Sequence, residues 1–278
     1  MAIILDGRVL AQTIRGKMKQ RIAALVSQPG LAVILIGDDP ASSTYVSIKQ
    51  KACEEVGIHF EKYLYPKNAS NESIIKKIRE LNALSTIHGI LVQLPLPNQD
   101  TDRIIQTIDP RKDVDGFHPE NIARLKRGAP AIAPAVALGI MKLIAEADKG
   151  KQKQTKENKG VIVSSLLFGE PLMTLLAERR IVATIVDARD PALAEKTKTA
   201  DVLIVAVGKP ALIKGEMIKP GAVVIDVGTT KIEEKLLGDV DQKSVGEVAG
   251  FLTPVPGGVG PMTVAMLMVN VLKAYDLR

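Results

Sequence analysis

The sequence predicts an α/β fold in two domains, on three observations. Strand-length apolar runs at residues 31–36, 89–92, 161–163, 202–205 and 222–227 alternate with longer amphipathic stretches. The runs are rich in Val, Ile and Leu without polar alternation, as expected when helices cover both faces of a parallel sheet. The 278 residues reach the size, roughly 250 to 300 residues, at which one hydrophobic core stops growing.

The elements follow in order. A first helix is expected after Asp6, where Val9, Leu10, Thr13, Ile14 and Met18 form a stripe at helical spacing. Residues 42–56 and 71–84 are the next helix candidates, the latter with Ile74, Ile75 and Ile78 as its core-facing edge. Pro119, Gly128, Pro130 and Pro134 interrupt regular structure, which places a domain junction within 117–134. Residues 149–160 carry no apolar side chain and read as solvated loop. Strand, turn and helix then recur: a strand at 161–163, a helix from about Gly169, a strand at 182–186 and later strands, the order of a dinucleotide-binding unit. A last helix spans about 262–274, with Met262, Met266 and Met268 as packing residues.

Composition narrows the function. Hydrophobic residues make up 46% and charged residues 24%, which describes a globular chain rather than a disordered one. No basic start precedes an apolar run and no stretch has the uninterrupted apolar length of a membrane span, so a cytoplasmic protein with no membrane partner is expected. Cys53 is the only cysteine, which excludes an internal disulfide, a cysteine zinc site and a thiol relay. His59, His88 and His118 lie at no metal-ligand spacing, so no metal is expected. The net charge of +6 could suit nucleic acid, but with no Trp and 3% aromatic residues there are few stacking platforms, and no nucleic-acid partner is expected.

One constellation carries chemistry. Ser42, Tyr45 and Lys49 are spaced three and four apart, so their side chains leave one face of a helix. Lys51 points elsewhere and reads as a surface charge. A lone helical lysine is ordinarily a solvated cation, but this one has company. Gln93 ends an apolar strand and precedes the stiff Leu94-Pro95-Leu96-Pro97 turn, which places an amide at the edge where α/β ligands bind. Lys112-Asp113-Val114-Asp115-Gly116-Phe117 adds two acidic side chains beside a glycine turn.

These segments, together with Asp38-Asp39-Pro40-Ala41-Ser42 and Thr253-Pro254-Val255-Pro256-Gly257-Gly258-Val259-Gly260-Pro261-Met262-Thr263, resemble the signatures of the bifunctional methylenetetrahydrofolate dehydrogenase/cyclohydrolase family. Order and separation match, and the similarity covers essentially the whole chain. Four long motifs in register are far more specific than a short pattern such as a lone GxGxxG.

The resemblance implies an N-terminal α/β catalytic domain, residues 1–117 plus 258–278, and a Rossmann-like parallel-sheet dinucleotide-binding domain, residues 118–257, with a cleft between them. It implies oxidation of 5,10-methylenetetrahydrofolate with NADP or NAD, then hydrolysis of the methenyl product to 10-formyltetrahydrofolate. By position, Lys49 would be the essential catalytic residue, Gln93 would orient it, Tyr45 would stack on the folate and Asp115 would hold the pterin. Ser42 and Pro256 would contact the substrate. Ser165, Gly169, Gly260 and Thr263 would meet the cofactor. A homodimer formed through the second domain is implied as well.

The nucleotide motif departs from the family pattern. Where that pattern has glycine-arginine-serine, this chain has Val163-Ser164-Ser165, with Val163 expected where backbone should approach the nucleotide. Where it has histidine-serine after the next strand, this chain has Asp187-Ala188-Arg189. Asp187 stands 22 residues after Ser165, where a carboxylate accepts hydrogen bonds from an unphosphorylated ribose and repels a 2′-phosphate. The family's proline-cysteine-threonine-proline is Pro134-Ala135-Val136-Ala137, and its aspartate-valine-glycine-isoleucine-asparagine is Asp226-Val227-Gly228-Thr229-Thr230. Three readings stay open: a bifunctional enzyme with a weakened or NAD-shifted dehydrogenase, a cyclohydrolase alone, and a non-catalytic folate binder.

Overall fold

The computed structural model describes residues 1–149, 157–233 and 235–277. The chain opens with β1 (Ile3–Ile4), α1 (Gly7–Ala23), β2 (Gly30–Ile36), α2 (Pro40–Val56), β3 (His59–Tyr65), α3 (Asn71–Ala83) and β4 (Gly89–Val92). Helices α4 (Thr101–Ile105), α5 (Pro119–Lys126) and α6 (Ala135–Ala147) follow. Next come β5 (Asn158–Ser164), α7 (Leu166–Ala177), β6 (Ile181–Val186), α8 (Leu193–Thr197), β7 (Val202–Ala206), a 3₁₀ turn (Gly215–Met217) and β8 (Val223–Asp226). The chain closes with β9 (Thr230–Ile232), β10 (Lys235–Leu237), α9 (Gln242–Val248), β11 (Phe251–Leu252) and α10 (Val259–Asp276). These elements form two compact units, Ala11–Ala135 with Val264–Arg278, and Met1–Leu10 with Val136–Thr263.

The first unit is built on a three-stranded sheet in the order β3-β2-β4, with both pairings parallel. Every residue of central β2 is buried, which explains its unbroken apolar sequence. Ala32, Ile34, Ile36, Ile90 and Val92 form one core with Ile74, Ile75, Ile78 and Leu81 of α3. Burying each such isoleucine stabilises the fold by about 1.5–3 kcal/mol. The sheet continues past β4, because Ile90 N donates to Lys112 O at 2.7 Å and residue 113 bridges residue 90 in parallel. The segments carrying Gln93 and Asp115 therefore leave one sheet edge side by side.

The second unit is a six-stranded sheet in the order β1-β11-β8-β7-β5-β6, parallel throughout. Val161, Val163, Leu203, Val205 and Val224 fill its core. From β5 the chain moves out to β6, then returns past β5 to β7. That reversal makes the carboxyl ends of β5 and β7 a topological switch point, where such sheets bind ligands.

Several expected boundaries move. The first ten residues pack with the six-stranded unit because the two residues of β1 pair with β11. The chain divides at 135/136 and 263/264 rather than at 117/118 and 257/258. The proposed junction at 117–134 holds α5, which Pro119 starts rather than breaks, since proline is tolerated in a first helical turn. Of the expected loop at 149–160, residues 158–160 belong to β5, while 150–156 lie outside the described residues. Helix α7 starts at Leu166 rather than near Gly169, and α10 at Val259 rather than Met262.

Candidate functional site

Helix α2 is fixed at both ends by local chemistry. The Asp39 carboxylate accepts a hydrogen bond from Ser42 N at 2.7 Å, Pro40 occupies the first turn, and Gly57 ends the helix in the left-handed region with φ 88°. Val46, Ala52, Cys53 and Val56 are buried, while Tyr45 of the candidate row is 37% exposed. Ser42 is buried near the N-terminus.

The Lys49 ammonium donates to Gln93 Oε1 at 2.7 Å. Gln93 in turn donates from Nε2 to Leu94 O at 2.8 Å, so its amide nitrogen is occupied and its oxygen is left for Lys49. Gln93 N is itself bonded to Ile34 O at 2.9 Å, which fixes its place one residue beyond β4.

Asp115 sits on a loop organised by its neighbour. The buried Asp113 carboxylate accepts hydrogen bonds from Gly116 N at 3.1 Å, His118 N at 2.8 Å and Asn121 Nδ2 at 3.0 Å. Asn270 donates to Val114 O and Ala133 O, both at 2.9 Å, and pins the loop on α10. Gly116 has φ 87° and lies so close to Ala133 that a Cβ would stand 2.5 Å from its carbonyl carbon. Only glycine meets both demands. The two acids of the motif thus separate: Asp113 builds the loop and Asp115 is presented by it.

Burial works on both charges of this site. It lowers the Lys49 pKa below the usual lysine value, with the Asp115 charge opposing, and raises the Asp115 pKa, with the Lys49 charge opposing. An amine, an amide and a carboxyl group therefore share one environment, and the amine is shifted toward its neutral form. Cys53, one turn from Lys49, is buried, and its thiol is pushed up to about 12. That rules it out as a nucleophile at neutral pH.

In the six-stranded unit the carboxyl ends of the strands gather a second set of residues. Ser165 is the N-cap of α7 and gives that helix no side-chain hydrogen bond, which leaves its first amides for a ligand. Gly169 packs α7 against β6, since a Cβ there would stand 2.6 Å from Ile185. The expectation for Val163 is corrected: it is fully buried in the core, so its side chain does not obstruct the strand end.

Asp187, just after β6, accepts hydrogen bonds from Arg189 N at 2.8 Å, Arg189 Nε at 3.0 Å and Arg189 Nη2 at 3.0 Å. These hold its carboxyl down, at about 2, with Lys209 contributing a further favourable charge. Gly260 has open space where a Cβ would stand. Thr263 lies one turn inside α10 rather than at its start, and its hydroxyl donates to Val259 O at 3.1 Å. Pro256 is exposed in the turn before α10 and belongs to the six-stranded unit, whereas Lys49, Gln93 and Asp115 belong to the other.

The turn Val207-Gly208-Lys209 after β7 was not among the sequence candidates. Its place at the switch point becomes visible only with the strand order, because no short motif marks it. His118 caps α5 through Nδ1, accepting from Glu120 N at 3.1 Å. No group of three or more His, Cys, Asp or Glu among the described residues could hold a metal, and no described helix is long and apolar enough to cross a membrane.

A switch-point parallel sheet with open helix amides, in a chain that also sets a shifted lysine beside an amide and an acid, defines a dinucleotide-dependent α/β enzyme with a second, acid–base chemistry. Profile comparison specifies the class. Residues 5–115 match the tetrahydrofolate dehydrogenase/cyclohydrolase catalytic domain, and residues 134–278 match the NAD(P)-binding domain of the same family. The chain is 46% identical over 283 aligned positions to the bifunctional protein FolD of Geotalea uraniireducens, covering all of both chains. Its fold matches the bifunctional FolD methylenetetrahydrofolate dehydrogenase/cyclohydrolase of Campylobacter jejuni, with TM-score 0.93 and 38% identity over all of both chains. It equally matches the Trypanosoma brucei enzyme solved with NADP and an inhibitor, with TM-score 0.93 and 34% identity over 99% of this chain and 98% of that one. The chain belongs to the tetrahydrofolate dehydrogenase/cyclohydrolase family.

Proposed function

We propose that the chain oxidises 5,10-methylenetetrahydrofolate with NAD(P) and hydrolyses the resulting methenyl cation to 10-formyltetrahydrofolate. The observation that carries this reading is the 2.7 Å contact between Lys49 Nζ and Gln93 Oε1, with the Asp115 charge acting on the same amine. Water adding to the cationic methenyl carbon must lose a proton, and a lysine with a lowered pKa can accept it. The Gln93 amide directs the amine without adding charge. The Asp115 carboxyl group hydrogen-bonds the pterin edge, and Tyr45, half open on the face of α2, stacks on the folate. Ser42, on the same helix, adds a polar contact to the substrate. Retention of this lysine set favours catalysis over a role as a folate binder alone.

The nicotinamide, when bound, supplies the hydride acceptor. Ser165 and the first amides of α7 would meet its diphosphate, and Gly260 and Thr263 would line the pocket from α10. Asp187 suits the unphosphorylated ribose, while Arg189 and Lys209 set positive charge around it and suit a 2′-phosphate. The site therefore carries a group suited to each nucleotide, NAD or NADP. The enzyme works in the cytoplasm as a homodimer formed through the six-stranded unit. That pairing is supported by exposed Met173 on α7 and by Val182 on the edge strand β6. Purified protein should convert methenyltetrahydrofolate, followed by its absorbance, and should oxidise the methylene form with NAD and with NADP in separate assays. Hydrolysis without any oxidation would reduce the activity to the hydrolase, and absence of both would remove the proposal.

A further inference from the structure

The turn at the switch point is held by a carboxylate that contacts no substrate. Asp239 is fully buried, and it accepts hydrogen bonds from three successive backbone amides: Val207 N at 2.7 Å, Gly208 N at 3.1 Å and Lys209 N at 2.6 Å. A second buried carboxylate braces the first, for Asp226 accepts from Asp239 N at 2.9 Å and from Val240 N at 3.1 Å. The surroundings admit these groups closely. A Cβ on Gly228 would stand 2.2 Å from the Asp239 carboxyl carbon, and one on Gly238 would stand 1.9 Å from Asp226 Oδ2. Asp226, Gly228, Gly238 and Asp239 are thus interlocked beneath one three-residue turn.

We propose that Asp239 is a positioning residue for the nucleotide: by fixing the Val207-Gly208-Lys209 turn at the carboxyl end of β7, it supports NAD(P) binding and hydride transfer while leaving methenyl hydrolysis untouched. The proposal rests on the NAD(P) reading above and extends it to a residue outside the candidate contacts. Three amides converging on one buried carboxylate set the turn's backbone, including Gly208 with φ 66° and open space at its Cβ position. They also set where Lys209 emerges, and its charge already acts on Asp187 at the end of β6. The amides of this turn are occupied by Asp239, so the turn offers the nucleotide its shape and its lysine rather than free donors.

The test is Asp239→Asn, which is nearly isosteric but turns an NH₂ group toward amides that need an acceptor. Three quantities are measured: amide exchange at 207–209 without nucleotide, dissociation constants for NAD and NADP by calorimetry, and methenyl hydrolysis without nucleotide. The expected result is faster exchange at the turn, nucleotide binding weakened by about tenfold or more, and hydrolysis within about twofold of the parent. Unchanged exchange and affinity would overturn the proposal, and so would a parallel fall in hydrolysis, which would mark a general structural role. Should Asp239→Asn fail to fold, Gly208→Ala strains the turn from its open side and must weaken nucleotide binding in the same selective way, or the proposal falls. If the parent protein binds neither NAD nor NADP, the cofactor reading fails, and the positioning proposal fails with it whatever the turn's exchange shows.

Discussion

The lysine at position 49 is useful to hydrolysis only while it can be neutral. Burial lowers its pKa and the Asp115 charge raises it, so the two effects predict the sign of a variant. The hydrolysis rate should rise with pH as Lys49 loses its proton, with a midpoint below that of a free lysine. In Asp115→Asn the opposing charge is gone, and the midpoint should move lower still while folate affinity falls. A pH–rate profile in which the midpoint rises would contradict this. Lys49→Arg should not restore activity, because a guanidinium stays charged throughout the accessible range. At the cofactor end, Arg189→Ala should weaken NADP by about tenfold relative to NAD, as expected for one lost charge-assisted contact to the 2′-phosphate. Separate titrations of the two nucleotides measure it. Lys49, Gln93 and Asp115 were legible in the sequence because each sits in a long motif. Asp239 was not, because Gly238-Asp239 reads locally as an ordinary turn and its three amide partners lie about thirty residues away in sequence, at Val207, Gly208 and Lys209.

At the scale of elements, both candidate regions use one device: a buried aspartate gathers backbone amides and a neighbouring segment is displayed. Asp113 does this for the loop of Asp115, and Asp239 for the turn after β7. Asn270 reinforces the first. Asn270→Leu leaves the carbonyls of Val114 and Ala133 without their donors and should destabilise the fold by about 1–3 kcal/mol for each unsatisfied group, read from urea unfolding. Asp226 adds a pH signature. Burial pushes its carboxyl up from 3.8 to about 7. The stability it contributes is fully present below the lower value and is lost as pH rises through the upper one. The urea midpoint should therefore fall as pH rises from about 4 to about 7 and level off above that in the parent protein, and Asp226→Asn should flatten the fall. Central strands such as β2 and β7 were readable because burial on both faces enforces an apolar run. The edge strand β3 was missed, since its mixed sequence, His59 to Tyr65, has no buried residue and therefore no apolar run to mark it.

For the whole molecule, the fold class followed from the rhythm of apolar runs, and the parallel sheets meet that expectation. The domain limits did not follow, because they depend on pairings too short to leave a pattern. Two residues of β1 suffice to draw the N-terminus into the six-stranded unit. The assignment of Lys49 and Asp115 to one unit, and of Asp187 and Asp239 to the other, gives the account its central claim. Hydrolysis depends on the lysine constellation, while nucleotide binding depends on the switch-point residues. The most direct measurement is methenyltetrahydrofolate hydrolysis by Lys49→Ala, alongside its nucleotide affinity. The account predicts a loss of at least about a hundredfold in hydrolysis, the usual contribution of a positioned base, with nucleotide affinity unchanged. Hydrolysis near the parent rate in a folded Lys49→Ala protein would contradict it.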